Sequence, residues 1–252
     1  MENHIVTAFD KDLISIKDKI NKIAGIVETQ LSLTHESLLN RDAILAEKIV
    51  ERDKQIDKSY QELIDSLVKL FALRQPFAND LRYVISSIKI SSDLERIGDQ
   101  TKNIAKASRW LSKLPQNQTV LSVDNLYDLI NSNFRKVVNS FNDEDSAKAK
   151  KIWLKDAEIN KQYDILFRET LTYMLEDPRN IASCSQIVAI AKNLERIGDH
   201  TQNIAEMIYY YVTGNHIAKK ISPSELRKYT VKKKYKTNIS TIFKKAKLIA
   251  KK

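Results

Sequence analysis

The 252-residue chain carries 42 Lys and Arg against 32 Asp and Glu, is 42% hydrophobic, and contains four Gly, four Pro and one Cys. There is enough apolar material for a buried core, but too few turn-forming residues for a fold of many short strands, and a single cysteine, Cys184, excludes an internal disulfide. The net charge of +10 suggests a nucleic-acid binder, yet residues 219–252 hold 13 basic residues and one acid; +12 of the charge lies there, leaving −2 on the other 218 residues.

Apolar residues recur every three to four positions almost throughout, which predicts an all-α fold. Six long helices are expected, at roughly 5–37, 41–74, 77–109, 121–141, 144–176 and 179–213. Along the second, Ile49, Ile56, Tyr60, Leu63, Leu67 and Leu70 fall on one face. Pro76 and Pro178 stand where a first helical position is expected, with Asp177 as a cap for the helix after it. Pro115 lies in a polar linker, Leu114 to Thr119. Asn142 to Asp145 places acids at a helix start, and Gly214 suits a C-terminal stop. The start of the chain has no apolar region behind basic residues, and no apolar run reaches the roughly 18 residues that span a bilayer, so a soluble, cytoplasmic protein is expected.

The chain repeats itself. Leu94-Glu-Arg-Ile-Gly-Asp-Gln-Thr-Lys-Asn-Ile-Ala105 matches Leu194-Glu-Arg-Ile-Gly-Asp-His-Thr-Gln-Asn-Ile-Ala205 at ten of twelve positions, 100 residues apart. A weaker pair, Asp53 to Asp57 against Asp156 to Asn160, has an offset of 103, and a shorter helix–helix turn in the second copy absorbs the difference. The expected organisation is two pseudo-symmetric three-helix bundles, over 1–112 and 120–216, followed by a basic tail over 219–252.

Glu95, Asp99 and Asn103 are spaced i, i+4, i+8, as are Glu195, Asp199 and Asn203, so each set stacks three oxygen donors along one helix face. With Leu94, Ile97 and Ile104 on the core stripe, the column looks outward or onto a groove edge. Stacked carboxylates repel, and Gly98 and Gly198 inside helices are unfavourable by about 1 kcal/mol each. A bound cation offsets the repulsion, and glycine lets a neighbour approach closely. If the second and third helices form a hairpin, Asp53 lies level with Asp99 and Asp57 with Glu95. In the second half Asp156 faces Asp199 and Asn160 faces Glu195. Oxygen donors without cysteine suit Mg²⁺, Mn²⁺, Ca²⁺ or iron better than structural zinc.

Each feature also has a plainer reading. An acidic column on a long helix is commonly a solvated face, and Asp53, Asp57, Asp156 and Asn160 divide evenly between ligand and solvated residue. Arg96 and Arg196 read as salt-bridge partners, Cys184 as a buried thiol, and His200 as a non-ligand because it lies about 100° from Asp199. No Gly-rich phosphate loop, nucleophile–base pair or HExxH motif is present, so an enzyme is not expected.

With Phe9-Asp-Lys-Asp-Leu13, Arg74-Gln-Pro-Phe-Ala-Asn-Asp-Leu-Arg82 and the paired LERIGD-x-T-x-NIA motifs, the chain resembles the PhoU family over about residues 1–218. The resemblance implies that Glu95, Asp99, Asn103, Glu195, Asp199 and Asn203 match that family's E(D)xxxDxxxN motif, associated with multinuclear clusters of iron, manganese, zinc or magnesium. It implies negative regulation of high-affinity phosphate uptake and phosphate-starvation signalling, through the ATPase of a phosphate ABC transporter and a sensor histidine kinase, with a homodimer among the expected assemblies. Asn160 in place of Asp57 implies a less acidic second site that binds metal more weakly. The tail lies beyond the resemblance, and its lysines suggest an anionic membrane surface or nucleic acid, which gives the alternative reading of a helical binding module.

Overall fold

Long apolar stripes with almost no helix breakers give long helices. In a computed structural model, which describes residues 2–114 and 120–217 but not the side chains of 2–8, 120–122 and 156, these are α1 (Glu2–Leu39), α2 (Ala43–Arg74), α3 (Asn79–Leu111), α4 (Val120–Asn142), α5 (Ser146–Trp153), α6 (Asp156–Glu176) and α7 (Ile181–Thr213). A short 3-10 turn, Pro178–Asn180, precedes α7. The linker residues 115–119, including Pro115, and the tail over 219–252 lie outside the described residues.

Helices α1, α2 and α3 form one bundle, and α4, the α5–α6 pair and α7 form the other. Residues 1–216 make one compact unit, and the largest contact within it joins α3 to α7. These two helices run antiparallel: Asp93 bonds His200 at 2.8 Å, and the guanidinium of Arg82 lies beside Gly214. Helices α1 and α4 are antiparallel too, tied by His35–Asp124 at 2.9 Å, Glu28–Arg135 at 2.7 Å and Asn21–Asn142 at 2.7 Å. The copies therefore meet back to back through equivalent surfaces, as two identical subunits do about a two-fold axis.

The repeat extends into the turns. Asp42 caps α2 by accepting from the amides of Ile44 and Leu45, and Asp145, 103 residues later, caps α5 by accepting from Lys148. The preceding residues, Arg41 and Glu144, both take positive φ, 55° and 50°. The hairpin turns differ: Pro76 stands four positions before Asp80, whereas Pro178 stands two before Asn180. Part of the expected shortening is there. Pro178 opens the 3-10 turn with Asp177 accepting from the amide of Arg179. Pro76 does not open α3, because Gln75 and Ala78 both take positive φ and the helix starts only at Asn79.

The expected helix over 144–176 is broken at Leu154 and Lys155. The carbonyl of Trp153 accepts a hydrogen bond at 2.9 Å from the side-chain amide of Gln202. A side chain entering the helical ladder in this way interrupts it.

Of the apolar face assigned to the second helix, Ile49, Ile56, Leu63, Leu67 and Leu70 are buried and Tyr60 is half-buried. At Gly98 and Gly198, α2 and α6 press closely on α3 and α7. A Cβ added at Gly98 would lie 2.7 Å from Ile56 Cδ1 and 3.3 Å from its Cγ2, and one at Gly198 2.9 Å from Ile159 Cδ1. The close neighbour is an isoleucine in each half. A Cβ at Gly25, on the exposed side of α1, would meet nothing within 4 Å.

Glycine-to-alanine exchange is therefore expected to have opposite signs at two positions. Gly25→Ala gains about 1 kcal/mol from helix propensity. Gly98→Ala gains the same term but overpacks against buried, β-branched Ile56 and loses about 1 kcal/mol net. Urea denaturation of both variants tests this, and Ile56→Val in the Gly98→Ala background, which removes the nearest atom, should recover most of the loss.

Candidate functional site

The donor column of the first half lies on the groove edge rather than looking outward. Glu95, Asp99 and Asn103 are half-buried beside α2, because the glycine contact at Gly98 draws Ile56 onto the same stretch of α3. The level argument for Asp53 and Asp99 is met by geometry: the ammonium of Lys102 donates to Asp53 at 2.5 Å and to Asp99 at 2.7 Å, bridging the two helices. Asp57, exposed one turn along α2, acts electrostatically on both Asp53 and Glu95. Arg96 takes its expected structural role, pairing with Glu95 at 3.6 Å and Asp99 at 3.8 Å.

Asp53 is the unusual member. Its side chain is only 5% exposed, on the same stripe as Ile49 and Ile56. Loss of water pushes its carboxyl above the ordinary aspartate range; Lys102 offsets part of that, while Asp57 and Asp99 add to it. Burial likewise pushes Glu95 up, with Asp99 the next cause. Burial alone would lower the Lys102 ammonium, but its bonds to Asp53 and Asp99 outweigh that and hold it above the ordinary lysine range. The cluster is a set of mutually repelling carboxylates bridged across the two helices by the half-buried ammonium of Lys102, with Arg96 at its exposed side.

The second half differs. Glu195 is mostly buried, at 14% exposure, and bonded by Lys192 at 2.5 Å, whereas Asp199, Asn160 and Asn203 are exposed. Asn203 donates to Asp93 of the first half at 3.3 Å. The side chain of Asp156 lies outside the described residues, although α6 begins at that position. His200 turns to Asp93 and not toward the column. Cys184 is buried. His35 pairs with Asp124 and stacks on Tyr127.

Sequence reasoning missed Lys102, Gln202 and Asp93. A signal was available: positions 100 and 102 are where the two motif copies differ, Gln100 against His200 and Lys102 against Gln202, and Lys102, His200 and Gln202 make the contacts described here. Asp80 and Arg82 line a cavity of about 440 Å³ with Lys17 and Glu144, two acids against two bases with no net charge for an ion.

The donor chemistry fits a hard cation. Four carboxylates of the first half act on one another, and the ammonium between two of them stands in for positive charge. Among the described residues no three His, Cys, Asp or Glu groups form a ready metal cage in either half.

The PhoU domain matches residues 20–108 and 123–208. The chain is 36% identical over 218 residues to a phosphate-specific transport system accessory protein PhoU homolog of Caulobacter vibrioides (strain NA1000 / CB15N), covering 86% of this chain and 95% of that one. The homolog of Zymomonas mobilis subsp. mobilis (strain ATCC 31821 / ZM4 / CP4) is 39% identical over 223 residues, covering 88% and 94%. The crystal structure of PhoU from Pseudomonas aeruginosa superimposes with a TM-score of 0.80 at 32% identity, covering 82% of this chain and all of that one. The phosphate transport system regulatory protein PhoU from Streptococcus pneumoniae gives 0.78 at 28% identity, covering 83% and 99%.

The raised carboxyls set a pH dependence. An acid whose folded pKa is raised adds stability in its protonated form, in full below the unfolded value and lost as pH rises through the folded one. In chelator, stability should therefore fall as pH climbs out of the ordinary carboxylate range. Glu95→Gln should flatten that fall, giving a Tm above wild type at about pH 7 and no gain near about pH 4. Thermal melts by circular dichroism across that range check it; curves that stay parallel would remove Glu95 from the cluster.

Proposed function

The chain belongs to the PhoU family, and from this premise we propose that it is a non-enzymatic, metal-binding adaptor that restrains high-affinity phosphate uptake and phosphate-starvation signalling. A role in regulating a phosphate transport system follows from membership, since the relatives are accessory and regulatory proteins of such systems. Its targets in this reading are the ATPase subunit of the phosphate ABC transporter and a sensor histidine kinase, met in the cytoplasm. No helix among the described residues is long and apolar enough to cross a membrane.

The observation that carries the metal part is the duplicated donor column beside a buried aspartate. Asp53, Asp57, Glu95, Asp99 and Asn103 would hold the first site, and Asp156, Asn160, Glu195, Asp199 and Asn203 the second. Bound cations would supply fixed positive charge, and with it the capacity to dock a partner's carboxylates or an oxyanion. The protein's own part is to hold the donors: the isoleucine–glycine contacts fix the α2–α3 spacing, and the α3–α7 seam fixes the halves to each other. Phe77 and Leu175, 85% and 86% exposed at the two hairpin turns, give apolar contacts for a partner or for a homodimer.

The charge of the tail, +12 over residues 219–252, supports a second reading in which the chain binds an anionic membrane face or nucleic acid. Deleting that segment separates the two. An adaptor keeps its phosphate response without the tail, whereas loss of all phosphate regulation on deletion favours the second reading.

For the metal part, protein purified without chelator or affinity metal is compared with an Asp99→Ala/Asp199→Ala double variant by elemental analysis. The expected outcome is stoichiometric Fe, Mn, Zn or Mg in the wild type, lost in the variant while circular dichroism shows unchanged helicity. Equal metal in both proteins would move the site away from these columns.

A further inference from the structure

The halves keep the same buried positions where α4 meets α5 and where α1 meets α2, but not the same charge around them. At an offset of 103, Ser140, Ala149 and Ile152 stand where the first half has Ser37, Ala46 and Ile49, and all six are buried. Between α4 and α5 lies a cavity of about 390 Å³, lined by Ile152, by Lys136, Lys148, Lys151 and Lys155, by Asn139 and by one acid, Asp143. The first half has Leu33 and Leu45 in place of Lys136 and Lys148, Glu36 in place of Asn139 and Asn40 in place of Asp143, and keeps bases, Lys48 and Arg52, at the other two positions. The lining side chains therefore carry +3 in the second half, against +1 at the matching positions of the first. Counting the aspartate that follows each set, Asp156 and Asp53, leaves +2 against 0.

This charge is only partly met by the protein. Lys148 bonds Asp143 at 2.9 Å and Asp145 at 3.4 Å, and Lys136 donates to the hydroxyl of Ser132 at 2.7 Å. Lys151 and Lys155, both exposed, form no ion pair among the described residues. We propose that the cavity binds a chain of two or three linked phosphate groups, as in a free condensed phosphate or the phosphate end of a nucleotide. Four ammonium groups around one concavity repel one another, and a polyvalent anion offsets that repulsion. Lysine binds phosphate as a point charge and needs no fixed fork geometry. The volume is in the range that encloses a small ligand, about 300–1,000 Å³, and a five-atom orthophosphate leaves most of it empty. None of the described lining residues is aromatic, so recognition is by charge and not by a base. The site shares no residue with the donor columns and does not depend on the metal reading.

Full-length protein, stripped of metal and exchanged into chelator-free buffer, is titrated by calorimetry with tripolyphosphate, adenosine triphosphate, orthophosphate and an oligoglutamate of matched charge. Lys151→Gln/Lys155→Gln should weaken tripolyphosphate binding by at least about ten-fold, with helicity unchanged by circular dichroism. Two variants that lose the same charge elsewhere, Lys48→Gln/Arg52→Gln at the matching positions and Lys244→Gln/Lys245→Gln in the tail, should bind within about two-fold of wild type. Adenosine triphosphate bound at least as tightly as tripolyphosphate assigns the site to a nucleotide's phosphate end, and weaker binding assigns it to a free condensed phosphate. Equal losses in all three variants would reduce the effect to unspecific charge and overturn the proposal. Orthophosphate or oligoglutamate bound as tightly as tripolyphosphate would overturn it too, the second by giving the cavity to an acidic segment of a partner. So would a wild type that binds no tripolyphosphate.

Discussion

A carboxylate on the core stripe of a helix must be given a cation or a proton. Asp53 is that carboxylate, four residues after Ile49 and three before Ile56 on a face whose other buried side chains are aliphatic save Ser59. Its nearest positive charge, Lys102, comes from the next helix, so the polar pair can form only if α2 and α3 pack at the spacing the glycine allows. Apolar packing and charge placement are thus one constraint. Gly98 sets how close Ile56 comes, and that distance sets whether the ammonium reaches both Asp53 and Asp99. A buried ion pair of this kind adds little net stability against an apolar pair of the same shape, but losing one partner leaves the other charged and dry. Such a pair is kept for what it specifies, here the level at which two helices meet and the charge left at the groove edge.

The second half solves the same packing problem with a different polar arrangement. Ile159 sits on Gly198 as Ile56 sits on Gly98, so the apolar contact is preserved. Gln202 in place of Lys102 takes a backbone carbonyl instead of a carboxylate, and the helix that is continuous as α2 becomes two pieces, α5 and α6. One exchanged side chain accompanies both a change in local charge and a change in helix continuity, and the break falls immediately before Asp156, one of the candidate donors. Across the seam, Asp93 binds His200 and Asn203, so the first half's donor helix touches the second half's column directly.

How much of this was legible in the sequence differs by level. The two bundles and most helix limits followed from apolar spacing, capping residues and the near-verbatim motif, since those depend on residues close together in the chain. The level of Asp53 against Asp99 followed from hairpin geometry, because an antiparallel pair with a known turn has one register. The start of α3 did not follow, because Pro76 lies in a turn whose neighbours take left-handed backbone, a choice the proline alone does not dictate. Nor did the direction of the donor column, since a helical wheel shows which side chains share a face but not which neighbour that face meets.

By itself the sequence determined the helical class, the duplication and the family, because periodicity, repeat spacing and motif chemistry are properties of the chain read locally. Only the tertiary structure decided that Asp53 is buried, that Lys102 rather than an arginine is its cation, that Gln202 opens a helix in the other half, and that the two motif helices lie against each other. Those facts depend on the distance between elements that are far apart in the chain, and that distance is set by packing: by an isoleucine resting on a glycine in each half, and by two antiparallel helices closing the seam between them.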